Sequence, residues 1–197
     1  ASSAPVICNK TMVKNIKGKN LMLGPRAKGL AFTTPIKKLY TISIDETIQL
    51  DGMNITGIKT THGSLTFKLG PFSKTFHPGP KERIGWEAIG FEIKLNGKTL
   101  VNLGDTLLHK KEWKKIKNPN VLVIPIGGRT NPSTMNEKEA LEAVRIMKPK
   151  LVIPCHYNLP ALFNKNFNPA DDTMFKREVE KMGIECSIMK YGDSISI

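Results

Sequence analysis

The sequence predicts an α/β fold, on three observations. Strand-like segments separated by turn residues crowd the first half of the chain. After Asp105, helical and strand-like segments alternate, the pattern of a sheet with helices packed on it. No linker, internal repeat or low-complexity tract interrupts residues 1–197, which are therefore read as one domain.

In chain order, Ala4 to Cys8 is extended, and Asn9 is placed to cap a helix reaching about Lys17 and stopped by Gly18. Gly24, Pro25, Gly29 and Pro35 make residues 18–36 a loop with short extended pieces. Tyr40 to Ile44 and Thr47 to Leu50 are strand-like, and Asp51-Gly52 turns the chain into a further strand, Met53 to Thr61. Residues 63–83, rich in Gly, Pro, Ser and Lys, read as a surface loop. Trp86 to Leu95 and Lys98 to Leu103 form a hairpin about Asn96-Gly97, a pair that tolerates the positive φ angles of a type I′ turn. Trp86 and Phe91 are expected in its core.

The second half changes period. Leu107 to Lys117 reads as a helix, while Val121 to Ile126 and Leu151 to Cys155 are short apolar runs typical of strands buried on both faces. Between these runs lies the clearest helix, Asn136 to Met147. Asn136 and Glu139 are spaced as a capping box, and Ala140, Leu141, Val144 and Met147 repeat at helical spacing. Pro149 ends it. A last helix over residues 169–182 gathers Phe175, Val179 and Met182 on one face and stops at Gly183. Ile184 to Met189 and Ser194 to Ile197 are expected to close as strands.

Apolar residues make up 40% of the chain and charged residues 24%, a globular balance rather than a disordered one. No apolar run is long enough for a membrane-spanning helix, so no membrane partner is expected. The opening ASSAPVICNK lacks an initiator Met and a leader-like apolar stretch, as in a processed end or a sequence that begins partway through a domain. Cys8, Cys155 and Cys186 are odd in number, far apart and without a CxxC pair. They fit reduced thiols in a cytoplasmic protein better than a disulfide framework or a zinc ribbon.

The net charge of +13 comes from 30 Lys and Arg against 17 Asp and Glu. Such a surface attracts phosphates, acidic substrates or nucleic acid in a salt-dependent way. Lysines such as Lys14, Lys17, Lys19, Lys110, Lys111, Lys114, Lys115 and Lys117 are spread out rather than gathered in one tract, which favours a solvated surface over a specific nucleic-acid site.

Chemistry is sought where strands end, because open α/β architectures bring side chains from several strands together there. His62 follows one predicted strand in TTHGS, Asp105 another in LGDT, and His156 a third in VIPCHYN. Two imidazoles and a carboxylate suit a borderline metal such as zinc. Taken singly, each has a plainer reading: a lone His is usually structural or on the surface, and an Asp in Gly-Asp-Thr commonly forms a turn or caps a helix.

The wording around these residues goes further. VNLGDT, VLVIPIGG and TMNEKEALEAVRIMKPKLVIPCHYN resemble the metallo-β-lactamase superfamily, most nearly its branch of small metal-dependent hydrolases that includes ascorbate-6-phosphate lactonase-like proteins. THGS at 61–64 and YGDSI near the C-terminus match earlier and later segments of that branch, so the resemblance spans about residues 50–197. It implies an αββα sandwich of two facing mixed sheets with helices outside. By position it also implies His62 on a first metal, Asp105 bridging two, and His156 on a second, with Asp105 and His156 at the centre of catalysis. Two divalent ions, zinc first with manganese or iron as alternatives, would activate water for hydrolysis. Thr106, Tyr157 and Asn158 are candidates to orient the ligands, and His77 to meet substrate from an overhanging loop. Gly127 and Gly128 either allow close backbone approach near the metals or form a plain turn. His109, on a Lys-rich helix face, is expected to be solvated.

One motif of the family, His-x-His-x-Asp-His, does not occur in the 197 residues. Its expected place is upstream of the first strand, since APVICNKTMVKNIKG resembles the strand and helix that follow it, so the sandwich is read as lacking its N-terminal strands. The three donors alone are expected to hold metal weakly. The function expected is a metal-dependent hydrolase of a small, anionic ester, phosphoester or lactone. The alternatives are a nuclease, with nucleic acid as a less favoured partner, and a truncated non-catalytic scaffold or partner subunit. Assembly into a homo-oligomer is compatible with either.

Overall fold

The computed structural model describes residues 5–10, 38–79, 88–130, 132–160 and 166–196. The predicted helix after Asn9, the loop over 18–36 and the strand start at Trp86 lie outside them.

Apolar alternation and two tight turns build the first half. β1 (Val6–Asn9) pairs in parallel with β2 (Leu39–Ile42), burying Cys8 and Ile42. β3 (Thr47–Leu50) and β4 (Met53–Lys59) form a hairpin whose turn residues Asp51 and Gly52 take φ of 49° and 79°. β7 (Ile89–Leu95) and β8 (Lys98–Asn102) form another about Asn96 and Gly97, at 48° and 72°. Both turns have the positive φ pair that Asp-Gly and Asn-Gly accept at low cost.

Residues 63–83 depart from expectation. In place of a loop they carry a hairpin of β5 (Leu65–Leu69) and β6 (Phe72–Phe76), which turns at Gly70 and forms a sheet of its own. Its β6 side chains are mostly exposed, which explains the polar, lysine-rich composition.

The main sheet has seven strands, in the order β13-β10-β9-β8-β7-β4-β3. β9 (Val121–Pro125) and β10 (Leu151–Cys155) extend it in parallel from β8, and β13 (Glu185–Cys186) closes it beside β10. β7, β4 and β3 continue the other side antiparallel, so the sheet is mixed. A small pair, β11 (Leu159–Pro160) with β12 (Asn166–Phe167), sits apart from it.

Among the described residues three helices pack on this sheet. α1 (Lys110–Trp113) is a single turn, shorter than the helix expected over 107–117. Only Trp113 and Ile116 anchor this lysine-rich segment in the core. α2 (Glu137–Met147) begins with the predicted capping box, and its Ala140, Leu141, Val144 and Met147 face Val101, Leu122, Ile124 and Val152 of the sheet. α3 (Asp172–Glu180) adds Phe175 and Val179. Burying these side chains supplies most of the drive for the layer, at about 1.5–3 kcal/mol for each large apolar group. The C-terminal expectation of two strands reduces to β13: Ser187 N still donates to Val152 O, but residues 187–196 form no further strand. Among the described residues the second sheet of the expected sandwich is represented by the β1–β2 pair, and no helix is long and apolar enough to cross a membrane.

Candidate metal centre

The strand ends converge as their order in the sheet requires. β4 leads to His62, β8 to Asp105 and β10 to His156, and their side chains meet on one oxygen. His62 Nε2 lies 2.9 Å from Asp105 Oδ2, and His156 Nε2 lies 3.2 Å from the same atom. The other carboxylate oxygen, Asp105 Oδ1, is buried without a hydrogen-bond partner. An enclosed, unpaired carboxylate oxygen is costly unless something else meets it.

Local backbone geometry holds the three in place. Thr106 is fully buried: its Oγ1 accepts from Thr61 N at 2.9 Å and donates to Leu107 O at 2.9 Å, while Leu107 N donates to Thr61 O. This pins the segment carrying His62 to the one carrying Asp105. Thr134 continues the chain of bonds, accepting from Thr106 N and donating to Thr106 O, both at 3.2 Å. Gly63 N donates to Ser133 O at 2.6 Å, and a Cβ on Gly63 would stand 1.9 Å from Pro132 O.

His156 takes φ of 55°, a left-handed conformation uncommon for a residue with a side chain and concentrated at functional sites. Asn158 and Asn168 share it, at 49° and 55°. Asn158 clamps the following loop: its Nδ2 donates to Ala170 O, its Oδ1 accepts from Ala170 N, and its backbone N donates to Asn168 O. Asn168 Nδ2 thereby reaches His156 Nε2 at 2.9 Å. Asn168 was not singled out from the sequence; only its place before Pro169, in a turn-forming Asn-Pro pair, hinted at a fixed loop.

The two glycines after β9 serve close approach. A Cβ on Gly127 would lie 2.3 Å from His156 O, and one on Gly128 would lie 2.0 Å from Thr134 O. The loop they open returns to α2 through Arg129, whose guanidinium pairs with buried Glu137. Glu137 Oε1 also accepts from Asp171 N at 2.9 Å, tying α2 to the start of α3.

Electrostatics follow from this packing. Burial would raise the Asp105 pKa, but hydrogen bonds from His156 and His62 outweigh it and hold the carboxyl far below its ordinary range. The hydrogen bond to Asp105 raises the His62 pKa, against the opposing effect of burial. His62 Nδ1 lies 2.6 Å from Gly63 O, and a carbonyl can only accept, so Nδ1 carries the proton and Nε2 faces Asp105. Burial, with the charge of Asp105, pushes the Cys155 thiol up to about 12, so it stays protonated and is no thiolate nucleophile.

Three other residues fall differently. Tyr157 packs against the core, away from the donors, and burial together with Asp172 pushes its phenol up to about 12. His77 lies at the base of the β5–β6 hairpin, where its Nδ1 is 2.8 Å from Ser64 Oγ, two residues beyond His62. His109 is not solvated: only 16% of its side chain is exposed, its ring stands 5.6 Å from that of Trp113, and its Nε2 is enclosed without a partner. Because α1 is so short, His109 precedes the helix instead of riding its outer face.

As a metal site the donor set is incomplete but chemically apt. Among the described residues no group of three or more His, Cys, Asp or Glu side chains forms a ready cage for an ion. Yet both imidazoles approach one carboxylate at 2.9 and 3.2 Å, close to the ~3.3 Å edge of a tetrahedron with zinc-like bond lengths. The unpaired Asp105 Oδ1 leaves a second carboxylate oxygen for another ligand.

A mixed sheet with helices on it and a His, Asp and His at successive strand ends defines a metallo-β-lactamase-fold protein. The chain belongs to the beta-lactamase superfamily domain family, whose model matches residues 10–156 and so ends on His156. It is 36% identical over 116 residues to a UPF0173 metal-dependent hydrolase of Natranaerobius thermophilus, covering 57% of this chain and 49% of the relative. It is 35% identical over 159 residues to another from Pelotomaculum thermopropionicum, covering 76% and 64%. Among solved structures it resembles Igni18, a metallo hydrolase of Ignicoccus hospitalis, with a TM-score of 0.60 and 26% identity over 80% of this chain and 60% of that one. The chain therefore spans about half to two thirds of the length of these relatives.

Proposed function

We propose that this chain carries the Asp bridge and one His on either side of it in a metal-dependent hydrolase. The observation that carries this reading is the sharing of Asp105 Oδ2 by His62 and His156 while Oδ1 stays buried and unpaired. Relatives named metal-dependent hydrolases support it.

Zinc is the favoured ion, with manganese and iron as alternatives, and two ions are proposed with Asp105 between them. Bound there, such ions would supply Lewis acidity and would lower the pKa of water toward neutrality. The protein's own part would be to keep Asp105 ionised, to hold the His62 ring from behind through Gly63 O, and to steady His156 through Asn168 Nδ2 on Nε2, the same nitrogen that faces Asp105. Thr106 orients the Asp105 segment, and Asn158 acts indirectly by seating Asn168. His77, beside Ser64, is proposed to contact substrate. The proposed substrate is a small ester, phosphoester or lactone, with an anionic group favoured by the +13 charge. The three free cysteines suit a cytoplasmic setting.

Asp105→Ala tests the reading directly. Zinc affinity should fall by more than the roughly 10–100-fold expected from losing a partner behind a ligand. Hydrolysis of bis(p-nitrophenyl) phosphate and p-nitrophenyl acetate should vanish while the circular dichroism spectrum stays. Unchanged metal content and turnover would remove Asp105 from the site.

A further inference from the structure

Part of the net positive charge gathers at one end of the sheet. The candidate metal centre lies at the C-terminal ends of β8 and β10. The opposite end of the sheet carries lysines: one residue row crosses it through Asn54, Lys94 and Thr99 on β4, β7 and β8, then through Asn120 and Lys150 just before β9 and β10. Lys98 begins β8 beside this row. Asn118 N donates to Met147 O and Lys150 N to Pro119 O, which brings Lys117 and Lys148 to the same rim.

Lys98, Lys117, Lys148 and Lys150 are all exposed, and none has an ion-pair partner among the described residues. Neighbouring strands lie ~4.8 Å apart, so Lys98 and Lys150, two strands apart, are within about 10 Å. Of the acids at this end, Glu92 is taken by Lys94 and Asp51 stands in the β3–β4 turn, while Glu185 on β13, whose N donates to Lys150 O, is the one acid that neighbours the rim. Lys148, at the C-terminal end of α2, has a structural reason to be basic, since a cation there offsets the helix dipole. The other three have none, and such a rim attracts an anionic partner.

We propose that this rim binds the phosphate backbone of duplex nucleic acid without reading its sequence. Lysine is a point charge that recognises phosphate without fixing orientation, and the rim residues named here include no aromatic ring on which a base could stack. Four contacts release about four counterions, giving a salt slope near −3.6 and about a 150-fold loss of affinity between about 50 and 200 mM salt. Because the rim is opposite the metal centre, the bound duplex is a tether and not a substrate. This inference does not rest on the hydrolase reading.

The experiment measures anisotropy of a labelled duplex of about 20 base pairs, long enough for several phosphate contacts. It compares the parent protein with a rim variant, K98Q/K117Q/K148Q/K150Q, and a control of equal charge, K74Q/K111Q/K138Q/K190Q. The rim variant should bind at least about tenfold more weakly with a salt slope near zero, the control within about threefold of the parent, all with similar melting temperatures. If the rim variant does not fold, K98Q/K150Q and K117Q/K148Q carry the test, each lowering the slope by about two. No binding by the parent, equal loss in both variants, or tighter binding of polyglutamate than of duplex would overturn the proposal. The last outcome would point to an acidic protein instead.

Discussion

His62 gives its Nδ1 proton to a carbonyl, so its bond to Asp105 needs a second proton on Nε2, the nitrogen proposed as a metal ligand. Two consequences follow. In the metal-free protein the His62 pKa is raised and that of Asp105 is lowered. The His62 contribution is present below its unfolded pKa of about 6.5 and is lost as pH rises through the folded value. The Asp105 contribution is present above about 3.9 and is lost as pH falls. Metal-free stability from this pair should therefore peak between about pH 4 and 6.5, and denaturant unfolding of His62→Gln should lack the decline above that window. Zinc uptake should also release protons, which calorimetry in buffers of different ionisation enthalpy would detect. Asn168→Ala removes the Nδ2 contact on His156 Nε2, the nitrogen proposed to bind zinc, so zinc affinity, measured by competition with a chromogenic chelator, should not fall. The convergence of His62, Asp105 and His156 was legible in the sequence from their strand-end positions and the wording around them. Asn168 was not, because its contact with His156 is made by a loop that Asn158 folds back. Tyr157 misled for the converse reason: it neighbours a donor in sequence, but the left-handed backbone at His156 sends it to the core.

At the scale of elements, the chain is read best where composition and environment agree. The capping box of α2 and the Asp-Gly and Asn-Gly turns stand where local chemistry places them, because each satisfies its own backbone groups. The β5–β6 hairpin was hidden because its exposed side chains need no apolar alternation. α1 was overestimated because two buried anchors, Trp113 and Ile116, mimic a helical face longer than one turn. Gly127 links this scale to the site. Its Cβ would meet His156 O, so Gly127→Ala should destabilise the fold by about 1–3 kcal/mol through overpacking and weaken metal uptake together. Urea unfolding and zinc titration on one preparation would show whether both move.

For the whole molecule, the family wording predicted two facing sheets, and the described residues show one seven-stranded sheet and a separate parallel pair, β1–β2. Sequence pattern gives each strand's character but not how many strands join each sheet, since that depends on pairings distant along the chain. Metal binding should register at this scale too. An ion at a hundred times its dissociation constant adds about 2.7 kcal/mol to stability, so zinc should raise the melting temperature and EDTA should reverse it, with neither effect in Asp105→Ala.

The parallel strands β8, β9 and β10 have a further consequence for the life of the chain. Parallel neighbours cannot be joined by a tight turn, and their pairing closes late because it must overcome the entropy of long loops. His62 and Asp105 could meet once the antiparallel hairpins have formed, but His156 arrives only when β10 docks beside β9. If the proposed centre holds metal, a newly made polypeptide would lack His156 there until β10 docks, and a filled centre would mark a molecule whose sheet is complete.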